Sequence, residues 1–350
     1  MLDLTGPPRA WPERLGRGFA AAQERAARTP GCWDSAPSRG DEALRDRVAE
    51  LAGLDSDGRE RLVITGGIRQ FAALWAGRTR VAVVEEPTFS DVPLVLGGAS
   101  EVRRAPWERL ADAAAGAGRV TFWLTSPLRN PDGRSLTQAE RTRLAALAAA
   151  GHEVVVNQVY RWYAPTGCVT PDGAWSATSL SKLTGGGTRL GWAAGPSPEA
   201  AEAAAQSWRM PGPATVWQRT WALFLDRPTV AALLAECVEP VAAARRAFAA
   251  RAAELLGWAC DGEGLSLALA GTGLAEEALV ARLAEAGVRA NPGTAFGMPC
   301  PSVRLAFTGI GPADAVRAAE RVAHLLARHP DLELTPWTAT PSTPLEGRAA

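Results

Sequence analysis

The 350-residue chain holds a single lysine, two tyrosines, three histidines and three methionines. His152, His324 and His329 do not fall at metal-ligand spacing with a carboxylate, so a histidine-built metal site is not expected. The five cysteines, Cys32, Cys168, Cys237, Cys260 and Cys300, are scattered, odd in number and without a CxxC pair. That pattern argues against a disulfide framework or a zinc knuckle and for reduced thiols. No apolar run approaches the roughly 18–20 residues of a membrane span, and Met1 to Pro12 lacks the charged-then-apolar order of a signal peptide, so a cytoplasmic location is expected. Neither sign of charge is in excess, with 37 basic and 37 acidic residues, which removes the footprint of a nucleic-acid or anionic-membrane binder.

What is present is enough apolar material, 47% of residues, to fill a large domain and a smaller one. All but one of the 37 basic residues are arginine, the exception being Lys182. A lineage that replaces surface lysine by arginine spares a lysine where an amine must be able to lose its proton, which a guanidinium does not do.

Short apolar runs alternate with helical patterns, the mark of an α/β domain with a mostly parallel sheet. Seven strands are predicted, at 61–65, 81–85, 100–104, 120–125, 153–157, 177–180 and 190–194. A helix is expected from Asp41 to Leu51, and Thr137 with Glu140 three residues on forms a capping-box pattern opening another. After Pro213, Ala- and Leu-rich helices run to about Leu256, followed by strands at 265–270 and 302–307 beside a helix at 276–285. The predicted organisation is an N-terminal segment (1–40) serving the active site and small domain, a large cofactor-binding domain (41–235), a small α+β domain (236–330) and a disordered Thr/Pro-rich tail (331–350).

Lys182 lies just past a predicted strand in Ser179-Leu-Ser-Lys182-Leu-Thr-Gly185-Gly-Gly-Thr-Arg189-Leu-Gly191-Trp192, a glycine-rich turn that exposes the amine. Upstream, the strand ending at Thr65 runs through Gly66-Gly67-Ile68-Arg69 into a helix, so backbone amides at a helix N-terminus face a bound anion. The same glycines also suit an ordinary βα turn. In chain order there follow Glu86-Pro87-Thr88-Phe89, Ser126-Pro127-Leu-Arg-Asn130-Pro131-Asp132-Gly133, Asn157-Gln-Val-Tyr160, and Asn291-Pro-Gly293 with Phe296-Gly297 and Arg304.

In these motifs and their order, from about Met1 to Ala323, the chain resembles the fold type I aminotransferases that depend on pyridoxal 5′-phosphate (PLP). Its lysine loop is closest in style to the alliinase and tryptophan-aminotransferase-related branch. The resemblance implies an enzyme with Lys182 as the Schiff-base lysine and Tyr160 beside it. Ser179, Arg189 and the Gly67-Ile68-Arg69 turn would hold the cofactor phosphate, and Phe89 would stack on its ring. Asn130 and Tyr160 would bind its phenolic oxygen, and Asn157 would face its ring nitrogen. Arg304 would grip the α-carboxylate of an amino acid in a bidentate fork, under an N-terminal segment containing Gly6. The family further implies a homodimer with active sites between subunits.

Two departures stand out. The family's aspartate against the ring nitrogen is Asn157 here, and an uncharged amide does not hold a proton there as a carboxylate does. Transamination is then expected to be slow, with elimination or replacement at Cβ as the alternative and a catalytically silent relative as a third. The family's cross-subunit tyrosine is also missing, because both tyrosines are at 160 and 163; Arg69 is the candidate to compensate. Trp33, Trp162 and Trp192 are candidates for an aromatic pocket wall.

Overall fold

The computed structural model describes residues 1–7, 10–164, 167–208, 212–260 and 263–337. After a short N-terminal strand β1 (Leu2–Asp3), the seven predicted runs become β2 (Leu62–Thr65), β3 (Val81–Glu85), β4 (Glu101–Ala105), β5 (Val120–Thr125), β6 (Glu153–Asn157), β7 (Trp175–Ser179) and β8 (Gly191–Ala194). They form one sheet in the order β2-β8-β7-β6-β5-β3-β4, parallel from β7 through β4, with β8 antiparallel to both of its neighbours. Every residue of β3, β5 and β6 is buried, because helices cover both faces, and this is why these strands read as unbroken apolar runs. Alternation divides them between two cores: Trp123 and Val155 pack with Phe71, Trp75 and Trp175, while Phe122, Leu124, Val154 and Val156 pack with Trp107 and Leu144.

The helix Gln138–Ala149 opens with the expected capping box, Thr137 accepting from the Glu140 amide while Glu140 reaches back to Thr137. Thr137→Ala is expected to destabilise the protein by about 1 kcal/mol, read as a small fall in melting temperature with the active site untouched.

A second unit carries β9 (Ser266–Thr272), β10 (Val288–Arg289), β11 (Asn291–Pro292), β12 (Ser302–Ala306) and β13 (Glu333–Pro336). Four of these form an antiparallel sheet in the order β11-β12-β9-β13. The helices Glu239–Leu256 and Pro312–Arg328 pack together through Val241, Ala244, Phe248, Ala315 and Val322. The N-terminus is fastened here, since β1 pairs in parallel with β10 and Thr5 bridges to Ala306.

The segment expected as a disordered tail from residue 331 begins instead as β13. Leu332 and Leu334 are buried beside β9, where Leu334 lies opposite Gly271, and Glu333 faces out. Four paired residues are too few to give a period in a stretch dominated by Thr and Pro, so composition hid the strand. Residues 338–350 lie outside the described residues. Among the described residues no helix is long and apolar enough to cross a membrane.

Candidate active site

Five loops meet beyond the carboxyl ends of β2, β3, β5, β6 and β7, where open α/β sheets bind ligands. The β2 strand passes through Gly66 and Gly67 into the helix Ile68–Trp75. Gly67 has φ +91°, and a Cβ there would lie 3.2 Å from Ser179 Oγ, so the turn requires glycine. The Gly66 amide donates to the Gln70 side chain and the Gly67 amide to Thr65 Oγ1 at 3.3 Å. The first-turn amides of Ile68, Arg69 and Gln70 are then left, and the first two belong to residues that line the cavity.

These loops enclose a cavity of about 240 Å³ lined by Ile68, Arg69, Thr88, Phe89, Asp91, Val92, Thr125, Asn130, Asn157, Val159, Tyr160, Ser181, Lys182, Gly186 and Arg189. Lys182 sits in the single helical turn Ser181–Thr184 that follows β7, with its ammonium 5.6 Å from the centre of the Tyr160 ring. It also borders an adjoining cavity of about 180 Å³ lined by Gly6, Trp11, Tyr163, Cys237 and Thr308. Lys182 therefore borders two chambers. A further cavity of about 250 Å³, between Trp107 and Leu147 on the other side of the sheet, is mostly apolar and brings none of these residues together.

The sequence-derived candidates fall into two groups. Ile68, Arg69, Phe89, Asn130, Asn157, Tyr160, Lys182 and Arg189 share the first cavity. Ser179 does not line it: its hydroxyl donates to the Leu190 carbonyl at 3.1 Å and accepts from the Ser181 amide, which makes it a brace for the lysine turn. Gly67 likewise shapes the cavity from behind. Arg69 forms an ion pair with Asp91 at the rim. Arg189 makes no ion pair among the described residues and occupies the left-handed region, φ +46°. Phe89 is partly exposed and tilts against Phe296, with ring centres 6.1 Å apart. Of the tryptophans, Trp33 is 79% exposed, while Trp162 and Trp192 pack edge to face and Trp162 donates to the Ser179 carbonyl. Sequence reasoning gave no role to Asp91, Thr125, Val159 or Ser181, whose only signal was adjacency to a motif residue.

Arg304 is buried, with one terminal nitrogen donating to the Thr5 carbonyl at 3.2 Å and its Nε without a partner. Its guanidinium lies over Phe296 at 5.1 Å, and a Cβ on Gly6 would come within 3.4 Å of it. Burial pulls its pKa below the ordinary arginine value, and Tyr160 acts the other way.

Behind the cavity floor lies Glu85, the last residue of β3 and fully buried. Trp107 donates to it at 2.6 Å, the Thr125 amide at 2.8 Å and the Thr88 hydroxyl at 3.1 Å. Burial pushes its carboxyl up, against the pull of Arg129 and of hydrogen bonds from Thr125 and Trp107. Arg129 is itself buried, bonded in a fork to Asp132 and stacked 4.6 Å from the Trp107 ring. Arg129 thus turns inward to face the buried acids Asp132 and Glu85, and its neighbour Leu128 takes φ +59°.

The residues fit the cofactor that the sequence resemblance implies. Asn130 is buried with an amide oxygen that has no partner, a buried polar group of the kind a ligand satisfies. The unpaired Arg189 and the helix N-terminus at Ile68 suit a phosphate, and a lone amine faces the same space.

A family model described as aminotransferase class I and II matches residues 15–322. Among solved structures, an aspartate aminotransferase double mutant of Thermus thermophilus superposes with a TM-score of 0.75 at 23% identity, covering 93% of this chain and 92% of that one. The aromatic aminotransferase of Pyrococcus horikoshii gives 0.77 at 19% identity over 94% and 96%. The α-aminoadipate aminotransferase LysN, also from Thermus thermophilus, gives 0.75 at 20% over 94% and 92%. At these identities the likeness is one of fold. No curated protein matches the sequence.

Proposed function

Because the chain belongs to the class I and II aminotransferase family, whose cofactor is PLP, we propose that it transfers the amino group of a small α-amino acid through PLP held at Lys182. The observation that carries this is the placement of Lys182, the one lysine, in a cavity with Tyr160, Asn130, Asn157 and Arg189. When bound, the cofactor supplies a sink for the electron pair left at Cα. With that cofactor bound, Lys182 would take the Cα proton and return it to the cofactor, and one water would supply the keto oxygen of the departing 2-oxo acid while the amino group stays behind. Arg304 holds the substrate carboxylate. Arg189 and the Ile68 and Arg69 amides hold the phosphate, and Asn130 and Tyr160 flank the phenolic oxygen. Phe89 covers one side of the ring, and the N-terminal residues around Gly6 close the substrate chamber.

A second chemistry is favoured by one observation. Asn157, buried at the end of β6, brings no charge to the ring nitrogen. A less stabilised electron pair stays nearer Cα, where it expels a leaving group at Cβ if the substrate carries one. The Gly191-Trp192 pair in the lysine loop supports kinship with the alliinase and tryptophan-aminotransferase-related branch. We further infer a cytoplasmic homodimer with sites at the subunit interface, supported by exposed Phe89 and Leu94 beside the cavity and exposed Trp33.

The test is a panel of α-amino acids given to the PLP-loaded protein without an amino acceptor. Stoichiometric 2-oxo acid, one per subunit, is the expected outcome for transamination. Continuous release of ammonia from a Cβ-substituted amino acid identifies elimination instead, and no reaction with any member sinks both. Asn157→Asp, by raising the ring nitrogen's proton affinity by about one to three pKa units, is expected to speed the single-turnover transamination and suppress elimination.

A further inference from the structure

In the proposed reaction the substrate's carboxylate lies at Arg304 and its Cα within reach of Lys182. The cavity of about 240 Å³ is assigned to the cofactor, so the side chain on Cα needs other room. The adjoining chamber of about 180 Å³ has Lys182 and Gly6 in its wall, and a Cβ on Gly6 would lie 3.4 Å from an Arg304 terminal nitrogen. It therefore lies beside both groups. Its wall is short of free donors. The Trp11 indole donates to the Thr184 carbonyl at 2.6 Å, and the Tyr163 hydroxyl to the Lys182 carbonyl at 3.2 Å. The Thr184 hydroxyl donates to the Leu180 carbonyl and the Thr308 hydroxyl to the Pro7 carbonyl, both at 2.9 Å. Each of these four side chains has spent its one proton on a backbone carbonyl, so what it offers the chamber is ring or methyl surface and, at the hydroxyls, an oxygen that only accepts. Cys237 and Val241 add apolar surface from the helical stretch 234–256. Among the described residues, no charged side chain other than Lys182 lines the chamber. Its Trp11 wall is held in place, stacked on Phe224 with ring centres 5.6 Å apart and set edge to face against Trp221.

We infer that this second chamber receives the substrate's side chain and selects a compact aliphatic amino acid over an acidic one, with Cys237 and Val241 setting its depth. The inference rests on the proposed reaction, with PLP in the first cavity and Arg304 on the α-carboxylate. A second carboxylate in the chamber would meet accepting oxygens and lose its water without a partner in exchange. An aliphatic side chain has nothing to lose there, and each methylene it buries strengthens binding by roughly 4-fold.

The experiment is calorimetric titration of the PLP-loaded protein with straight-chain carboxylic acids from acetate to hexanoate, and with succinate, none of which carries an amino group to react. In the wild type, affinity is expected to rise by roughly 4-fold per methylene until the chamber is full, and succinate to bind on the order of 10-fold or more weaker than butanoate, which has the same number of carbons. Cys237→Phe fills the chamber and is expected to abolish the rise. Should that variant fail to fold, Val241→Ala deepens the chamber and is expected to move the tightest binding to a longer acid. A flat series in the wild type, succinate binding as tightly as butanoate, or a series that neither variant moves overturns the inference. So does binding that persists in Arg304→Ala, because the acids would then sit elsewhere. The same proteins are then given alanine, norvaline, leucine and aspartate, and the aliphatic amino acids are expected to react in the order in which the acids bind, ahead of aspartate. Acids that bind as expected while no amino acid reacts would support the chamber and overturn the transamination reading beneath it.

Discussion

Lys182→Ala is expected to lower turnover by roughly 10⁴-fold, the upper end of what one positioned proton-transfer group contributes. The loss is this large because no other amine stands in for it: the chain has no second lysine, and the arginines do not give up a proton at neutral pH. Lys182→Arg is the sharper variant. It keeps a cation near the Tyr160 ring, 5.6 Å from the present ammonium, and so preserves local charge and packing, yet it is expected to be as inactive as alanine. An arginine variant with substantial activity would show that charge, not a deprotonable amine, is what the site uses. Single-turnover assays on protein saturated with PLP separate this chemical loss from weaker cofactor binding.

The second large effect is expected at Arg304. One terminal nitrogen is committed to the Thr5 carbonyl, and Nε is buried without a partner, so the Nε edge is the one with hydrogen-bonding capacity left for a carboxylate. Such an edge forms a bidentate pair. The guanidinium is buried and its charge is disfavoured there, so a carboxylate that arrives offsets a cost already present in the free enzyme. Arg304→Ala is expected to lower kcat/KM by roughly 10²–10³-fold, or about 3–4 kcal/mol, within the range for truncating one member of a buried charge pair. Arg304→Lys, which keeps the charge but loses the fork, is expected to recover only part of this. The cofactor's absorbance should be unchanged in both, since Arg304 does not border the cofactor cavity. A loss of cofactor with unchanged substrate dependence would assign Arg304 to the wrong ligand.

The large sheet was legible because its central strands are buried on both faces, and unbroken runs such as Val81–Glu85 and Glu153–Asn157 stand out from the helices between them. The eight candidates that share the cavity were legible for a different reason: each occurs in a short motif beyond a strand end, and the fold brings strand ends together. What stayed hidden depends on contacts between motifs. Glu85 is one charged residue closing an apolar run, and only its three donors reveal what holds it there, fully buried. Ser179 matched a phosphate-binding pattern, but its hydroxyl is spent on Leu190, a carbonyl eleven residues away. The last strand, β13, is a pairing partner for β9 too short to show a pattern of its own.

The assignment of Lys182 is tested most directly by reducing the PLP-loaded protein with borohydride, which fixes the aldehyde to whichever amine holds it, and mapping the adduct by peptide mass spectrometry. With one lysine in the chain, a single adduct on the peptide containing Lys182, absent from Lys182→Ala, is the expected result. A wild type that carries no adduct, or an adduct that persists on another amine in the variant, would contradict it.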